Sequence, residues 1–281
     1  MATITAQEVN KLRQITGAGM MDCKNALVES QGDIDGAIDI LRKKGQKVAA
    51  KRADREANQG AAIAKTDTNH TFGAVVLLSC ETDFVAKNAD FVAFTNKLVD
   101  LAIANRINSL EALLALPLEG RTVADHITDQ VGKIGEKIEV AAYDFVDAPV
   151  VSSYIHTGNK LATLVGLNKL ASNAEEFGHD VAMQVAAMNP VAIDASSVSD
   201  EIVNRELAVA IETTKTDPKN ARKSDEMIEK IAQGKMVKFY KENTLLSQEF
   251  IKNSKITVGD YLKQADKDLT VTSFKRIQIG A

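Results

Sequence analysis

The sequence predicts an α+β protein, and three observations carry that prediction. The first 45 residues hold three short, capped helical patterns. Two apolar stretches of strand length each follow a turn and each precede an amphipathic helix. Two longer helical patterns then flank a Pro-containing turn, before a last alternating stretch. The chain therefore divides into a three-helix bundle (1–45), a linker (46–59), a first core half (60–140) and a second core half (141–198). An antiparallel helical hairpin (199–241) is inserted next, and 242–281 completes the second half. The two core halves read as a duplicated hairpin-plus-helix unit with antiparallel sheets.

The bundle opens on a capping box, Thr5-Ala6-Gln7-Glu8, with Val9, Leu12 and Ile15 as the apolar face of the first helix. Thr16 to Gly19 breaks that helix. Met20, Cys23 and Leu27 mark a second helix, ended near Gln31-Gly32. Asp33 caps a third, whose Ile34, Ala37, Ile38 and Leu41 recur at helical spacing, with Gly45 near its end. Met20 and Met21 are adjacent, so one of them must point away from the core. Gly17-Ala18-Gly19 is not a phosphate loop: no strand precedes it, and neither the third dinucleotide glycine nor a Gly-Lys-Ser/Thr follows. From Gln46 to Gln59 there is hardly a core residue, and the interrupted basic run of Lys47, Lys51, Arg52 and Arg55 reads as a solvated face.

Gly60 to Asp67 and Phe72 to Ser79 form a hairpin around Thr68-Asn69-His70. The second strand is apolar enough to be covered on both faces. Asn88 caps the helix carrying Phe91, Phe94, Leu98 and Leu101, which leaves Thr82 to Lys87 as a polar loop with one bare aromatic, Phe84. Leu110 to Leu118 is a short helix, and Thr122 to Glu136 a longer one. Ile138 to Val146 is strand-like, and Pro149 interrupts it. The arrangement then repeats. Strands near Val151 to His156 and Leu161 to Leu167 flank Gly158-Asn159, and a helix follows with Phe177, Val181, Gln184, Val185 and Met188. The second copy has a shorter link and nothing equivalent to Thr82-Asp83-Phe84. The fold unit does not need those residues, so Phe84 is expected to face outward.

In the helical hairpin, Ile202, Leu207, Ala210 and Ile211 face Met227, Ile228, Ile231 and Met236 across the turn at Thr216-Asp217-Pro218. Leu245 to Phe250 leads to a short helix at Val258 to Gln264 and a final strand at Leu269 to Ile279.

The chain has 281 residues, 45% hydrophobic and 26% charged, with a net charge of −4. There is no domain-wide basic excess for nucleic acid, no apolar run long enough for a membrane span, and no secretory signal at Met1 to Thr5. Cys23 and Cys80 read as small buried hydrophobes in a reducing compartment, and a cytoplasmic protein is expected. The four histidines show no ligand spacing, no nucleophile elbow is present, and neither a metal site nor a cofactor is expected. A binding protein follows better than an enzyme.

Several stretches resemble the bacterial elongation factor Ts family. They are Leu12-Arg13, Thr16 to Lys24, Ala26-Leu27, Gly32 to Ile34, Ala37-Ile38, Leu41 to Gly45 and Cys80 to Asn88. Lys133 to Glu136, Ala182 to Ala187, Asn189-Pro190 and Leu245 to Phe250 support them. The resemblance spans essentially the whole chain. It implies an exchange factor that binds elongation factor Tu in its GDP-bound and nucleotide-free forms, with no bond chemistry. It also implies a ubiquitin-associated-like bundle, a two-part core and an inserted coiled-coil hairpin. Thr82, Asp83, Phe84 and Val85 would enter near the partner's Mg²⁺ and nucleotide. Arg13, Met20 and Met21 would be the contact end of the bundle, and Met183 and Gln184 a further contact. Thr157 to Ala162 departs from the family's Gly-rich turn and Arg-Ile-Gly. The further C-terminal helix that some members carry is not expected after the last strand. Two other readings stay open: a ubiquitin-type binder, which would explain Gly17 to Met21 but nothing after Gln59, and an enzyme using the loop as a lid.

Overall fold

The computed structural model describes residues 4–280. The expectation about a secretory signal rests partly on Met1 to Thr3, which lie outside them. Helices α1 (Ala6–Thr16), α2 (Met20–Glu29) and α3 (Ile34–Arg52) form the bundle. The Thr5/Glu8 capping box is made in both directions, and Gly17 ends α1 in the left-handed conformation at φ 66°. Val9, Leu12, Cys23, Ala26, Leu27 and Ala37 are its buried centre. Ile15, expected on the inner face of α1, is 55% exposed.

Gly45 does not end α3, which runs on to Arg52 across the expected boundary. The reason is packing. α3 crosses α7 (Val123–Ile134) so closely that a Cβ on Gly132 would lie 2.8 Å from the Cα of Gly45. Both glycines let two helix backbones meet, and the helix continues because its second half is docked. Gly132→Val is expected to force this contact apart, at about 1–3 kcal/mol for overpacking. Faster amide exchange across 45–52 would report the loss of docking, and unchanged protection there would refute it.

The core is built from β1 (Gln59–Thr66), β2 (Phe72–Cys80), α4 (Asp83–Ala86), α5 (Ala89–Ala104), α6 (Leu110–Ala115), β3 (Pro117–Leu118), β4 (Arg121–Thr122), α7 and β5 (Glu139–Asp147). β6 (Val150–Ile155), β7 (Leu161–Leu167) and α8 (Ala174–Met188) follow. After α9 (Asp200–Thr216) and α10 (Asp225–Asn243) come β8 (Glu249–Phe250), β9 (Asn253–Thr257), α11 (Val258–Leu262) and β10 (Val271–Gln278).

The two main sheets are antiparallel, in the orders β1-β2-β5 and β6-β7-β10. Each is a hairpin whose second strand also pairs with a strand that returns after the helices. The duplicated α+β core is thus present as topology. β5 belongs to the first sheet through register pairs such as Val76↔Tyr143. The boundary between the halves therefore falls after Asp147, not at 140.

Every residue of β2 is buried. One face packs on α5 and α7, and the other meets the second sheet through Val75, Leu77, Val151 and Leu164. The halves are laced reciprocally. The Ala62 N–H in β1 donates to the Asn159 carbonyl at the tip of the second hairpin (2.7 Å). The Val151 N–H in β6 donates to the His70 carbonyl at the tip of the first (2.6 Å).

α9 and α10 form the inserted hairpin. Its seam is Ala210, Thr214, Ile228, Ala232 and Met236, all buried. Met227, expected to face inward beside Ile228, is 52% exposed, since neighbours on a helix cannot share one narrow seam. The hairpin is rooted at one point: Ala192 bridges Thr244, and the Leu245 and Leu246 N–H groups donate to Ala192 and Ile193.

Candidate functional site

The stretch after β2 is a single helical turn rather than a loop. Thr82, extended at φ −118°, is the N-cap of α4, and its hydroxyl accepts from the Val85 N–H at 3.4 Å. Asn88 caps α5 through the Asp90 N–H at 2.8 Å. Between these caps Val85 and Ala86 are half-buried against the first core cluster. Phe84 lies on the opposite side of the turn and is 83% exposed, the most exposed of the large apolar side chains among the described residues.

The turn is held from below and from both sides. The buried Cys80 thiol donates to the Thr82 carbonyl at 3.2 Å. Glu136, just past the left-handed Gly135 that ends α7, accepts from the Glu81 N–H (3.1 Å), the Thr82 N–H (3.0 Å) and the Thr82 hydroxyl (2.7 Å). Glu81 accepts from the Lys137 N–H (2.6 Å) and from Arg52 Nη1 (2.7 and 2.9 Å to its two oxygens). Those donors, the Lys137 amide first, keep the Glu81 carboxyl ionised below its usual range despite partial burial. Lys87 Nζ donates to Asp83 at 2.6 Å and likewise lowers the Asp83 pKa, with Lys160 of the second hairpin adding to it.

Burial pushes the Cys80 thiol up to about 12, with Glu136 adding to the shift. A group neutral and enclosed at neutral pH is a poor nucleophile. Cys80 is therefore expected to stay unmodified by an aromatic disulfide reagent at pH 8 and to react on denaturation. Rapid reaction of the native protein would contradict the enclosure.

The remaining sequence-predicted residues divide. Arg13 is exposed. Met20 and Met21 are both exposed, at 60% and 63%, so neither points inward. Ile15, near the end of α1, is exposed as well. Between α1 and α2, Gly17 sits against the Lys133 side chain of α7, three residues before Glu136. Met183 is half-buried. Gln184 is fully buried: its amide donates to Gln248 Oε1 and the Glu249 carbonyl, both at 3.1 Å, and it accepts from the Ile251 N–H at 2.8 Å. In this chain Gln184, expected as a contact, is enclosed and ties α8 to residues 248–251.

The sequence reading missed two supports. Arg52, taken as part of a solvated basic face, pairs with Glu81 instead. Glu136 stood in the Lys133-Ile134-Gly135-Glu136 motif, but one helix stop does not reveal what the next carboxylate will reach.

With this geometry in place, comparison with known proteins is specific. The Elongation factor TS family model matches residues 81–281, from the start of this turn to the end of the chain. The chain belongs to the elongation factor Ts family. An elongation factor Ts of Christiangramia forsetii is 50% identical over 280 residues, covering 100% of both chains. One of Flavobacterium psychrophilum is 48% identical over 280 residues, again with 100% of both covered. One of Porphyromonas gingivalis is 48% identical over 279 residues, covering 99% of each. Elongation factor Ts proteins are translation elongation factors, so the chain is assigned to protein biosynthesis. No helix among the described residues is long and apolar enough to cross a membrane.

Proposed function

We propose that this elongation factor Ts family member is the guanine-nucleotide exchange factor for elongation factor Tu. It acts in the cytoplasm by binding alone, without making or breaking a bond. It engages Tu with GDP bound and holds the nucleotide-free form until GTP enters.

The observation that carries this reading is Phe84, 83% exposed at the apex of a braced helical turn. An exposed Phe forgoes about 1.5–3 kcal/mol of burial, which a partner pocket would supply. Thr82 caps the turn, Val85 anchors it, and Asp83 and Phe84 enter beside the partner's Mg²⁺ and nucleotide. Mg²⁺ demands near-ideal octahedral geometry, so a small displacement of its surroundings weakens nucleotide binding. Arg13, Met20 and Met21 are the contact end of the bundle, and Met183 supplies a lesser contact on the second half. Because coupling between sites is reciprocal, a factor that loosens GDP is itself loosened by nucleotide, and it turns over.

The test is release of labelled GDP from purified Tu with a substoichiometric amount of the chain. Fast release with many turnovers per molecule is expected. No acceleration by the folded protein would overturn the reading.

A further inference from the structure

We propose that Glu136 is the positioning residue of the Phe84 turn, acting through hydrogen bonds rather than through charge. Its activity arm rests on the exchange reading above; its structural arm does not.

The argument starts from where the first sheet stops. β2 pairs with β5 only as far as Ser79↔Glu139. Beyond Ser79 the chain has no strand on that side to accept its N–H groups. Glu136, three residues before Glu139, supplies the missing acceptor: one carboxylate oxygen takes the N–H groups of both Glu81 and Thr82. The side chain thus gathers two successive N–H groups that an extended strand would point to opposite edges, and so fixes the bend that leaves β2. Its other oxygen takes the Thr82 hydroxyl proton at 2.7 Å, which leaves that hydroxyl free to accept from Val85. Glu136 therefore sets the direction of the chain entering α4 and the rotamer of its N-cap. Phe84 is two residues further on and has no packing of its own to aim it.

The geometry also says which feature of Glu136 matters. All of its hydrogen-bond donors here are uncharged: two amides and a hydroxyl. A glutamine can present one oxygen to both amides and turn its NH₂ toward Thr82, whose hydroxyl can accept. An alanine can do neither, and an aspartate falls one carbon short. Gly135, left-handed at φ 81°, turns the chain out of α7 and delivers the side chain to this place. Arg52 of α3 braces the other side through Glu81, with hydrogen bonds to both of its carboxylate oxygens.

The experiment compares Glu136→Ala, Glu136→Gln and Glu136→Asp with the unaltered chain in two ways. In the free protein, amide exchange over 81–88 is expected to rise about tenfold or more in the Ala form and to stay within about threefold in the Gln form. With Tu in the assay, the maximal rate of GDP release at saturating factor is expected to fall about tenfold in the Ala form. The half-saturating concentration should move less than about threefold, and Gln should restore the rate. If the Ala form does not fold, the Asp form carries the same expectations. Unchanged exchange over 81–88, or a Gln form as impaired as the Ala form, would overturn the proposal. So would loosened amides with an undiminished maximal rate. If the unaltered chain fails to release GDP, the exchange reading falls, and amide exchange alone decides whether Glu136 positions the turn.

Discussion

Phe84→Ala is expected to slow factor-catalysed GDP release by about tenfold or more while moving the thermal midpoint by less than about 2 °C. The two halves of that expectation have separate grounds. Anchors that fill a partner pocket often carry about 2 kcal/mol or more of an interface, and each 1.4 kcal/mol is about tenfold. The folded chain, by contrast, places little on the Phe84 ring, which is 83% exposed. The turn beneath it is held by Thr82, Glu136, Cys80 and the half-buried Val85, none of which the substitution removes. GDP release and thermal melting on the same samples check both halves. A parallel loss of rate and melting temperature would mean that the ring supports the fold. An undiminished rate would move the exchange mechanism to the bundle or the second half.

The second large effect lies at a residue expected from family likeness to touch the partner. Gln184→Ala should destabilise the second core half by about 2–4 kcal/mol. The cost has two parts. Removing a fully buried side chain opens a cavity, and the Ile251 N–H, the Gln248 side chain and the Glu249 carbonyl lose a partner together. Denaturant unfolding would show the loss, and GDP release by the folded fraction should match that of the unaltered chain. Unaltered stability with impaired release would return Gln184 to the interface.

The contrast between Phe84 and Gln184 shows what was legible in the chain. Local signals read well wherever the physics is local. The Thr5/Glu8 capping box, the Asp33 and Asn88 caps and the fully buried β2 are set by neighbours within a few residues or by an unbroken apolar run. The outward aim of Phe84 was legible only by comparing the two core halves. What sequence could not supply was any meaning assigned from a distance. Gly45 looks like a helix stop and is a crossing point, because Gly132 lies nearly 90 residues away in the chain. Gln184 looks like a polar contact and is a buried hub, because its partners come from 248–251, beyond the whole inserted hairpin. The pairs β3-β4 and β8-β9 span two to five residues per strand, too few for a period-two pattern to register.

The root of the helical hairpin has a consequence for how such a chain can vary. Residues 191–193 and 243–246 are zipped to each other, so the chain leaves the core and returns to it at one place. Everything between is a detour whose length the sheets do not register. Lengthening or trimming α9 and α10 by matched turns would leave β10 to pair with β7 in the same register. A protease cut at the tip, near Pro218, would leave two fragments still clasped at the base and along the seam. This part of the molecule is therefore open to revision by insertion and deletion, while the turn bearing Phe84, tied at once to β2, α3 and α7, is not.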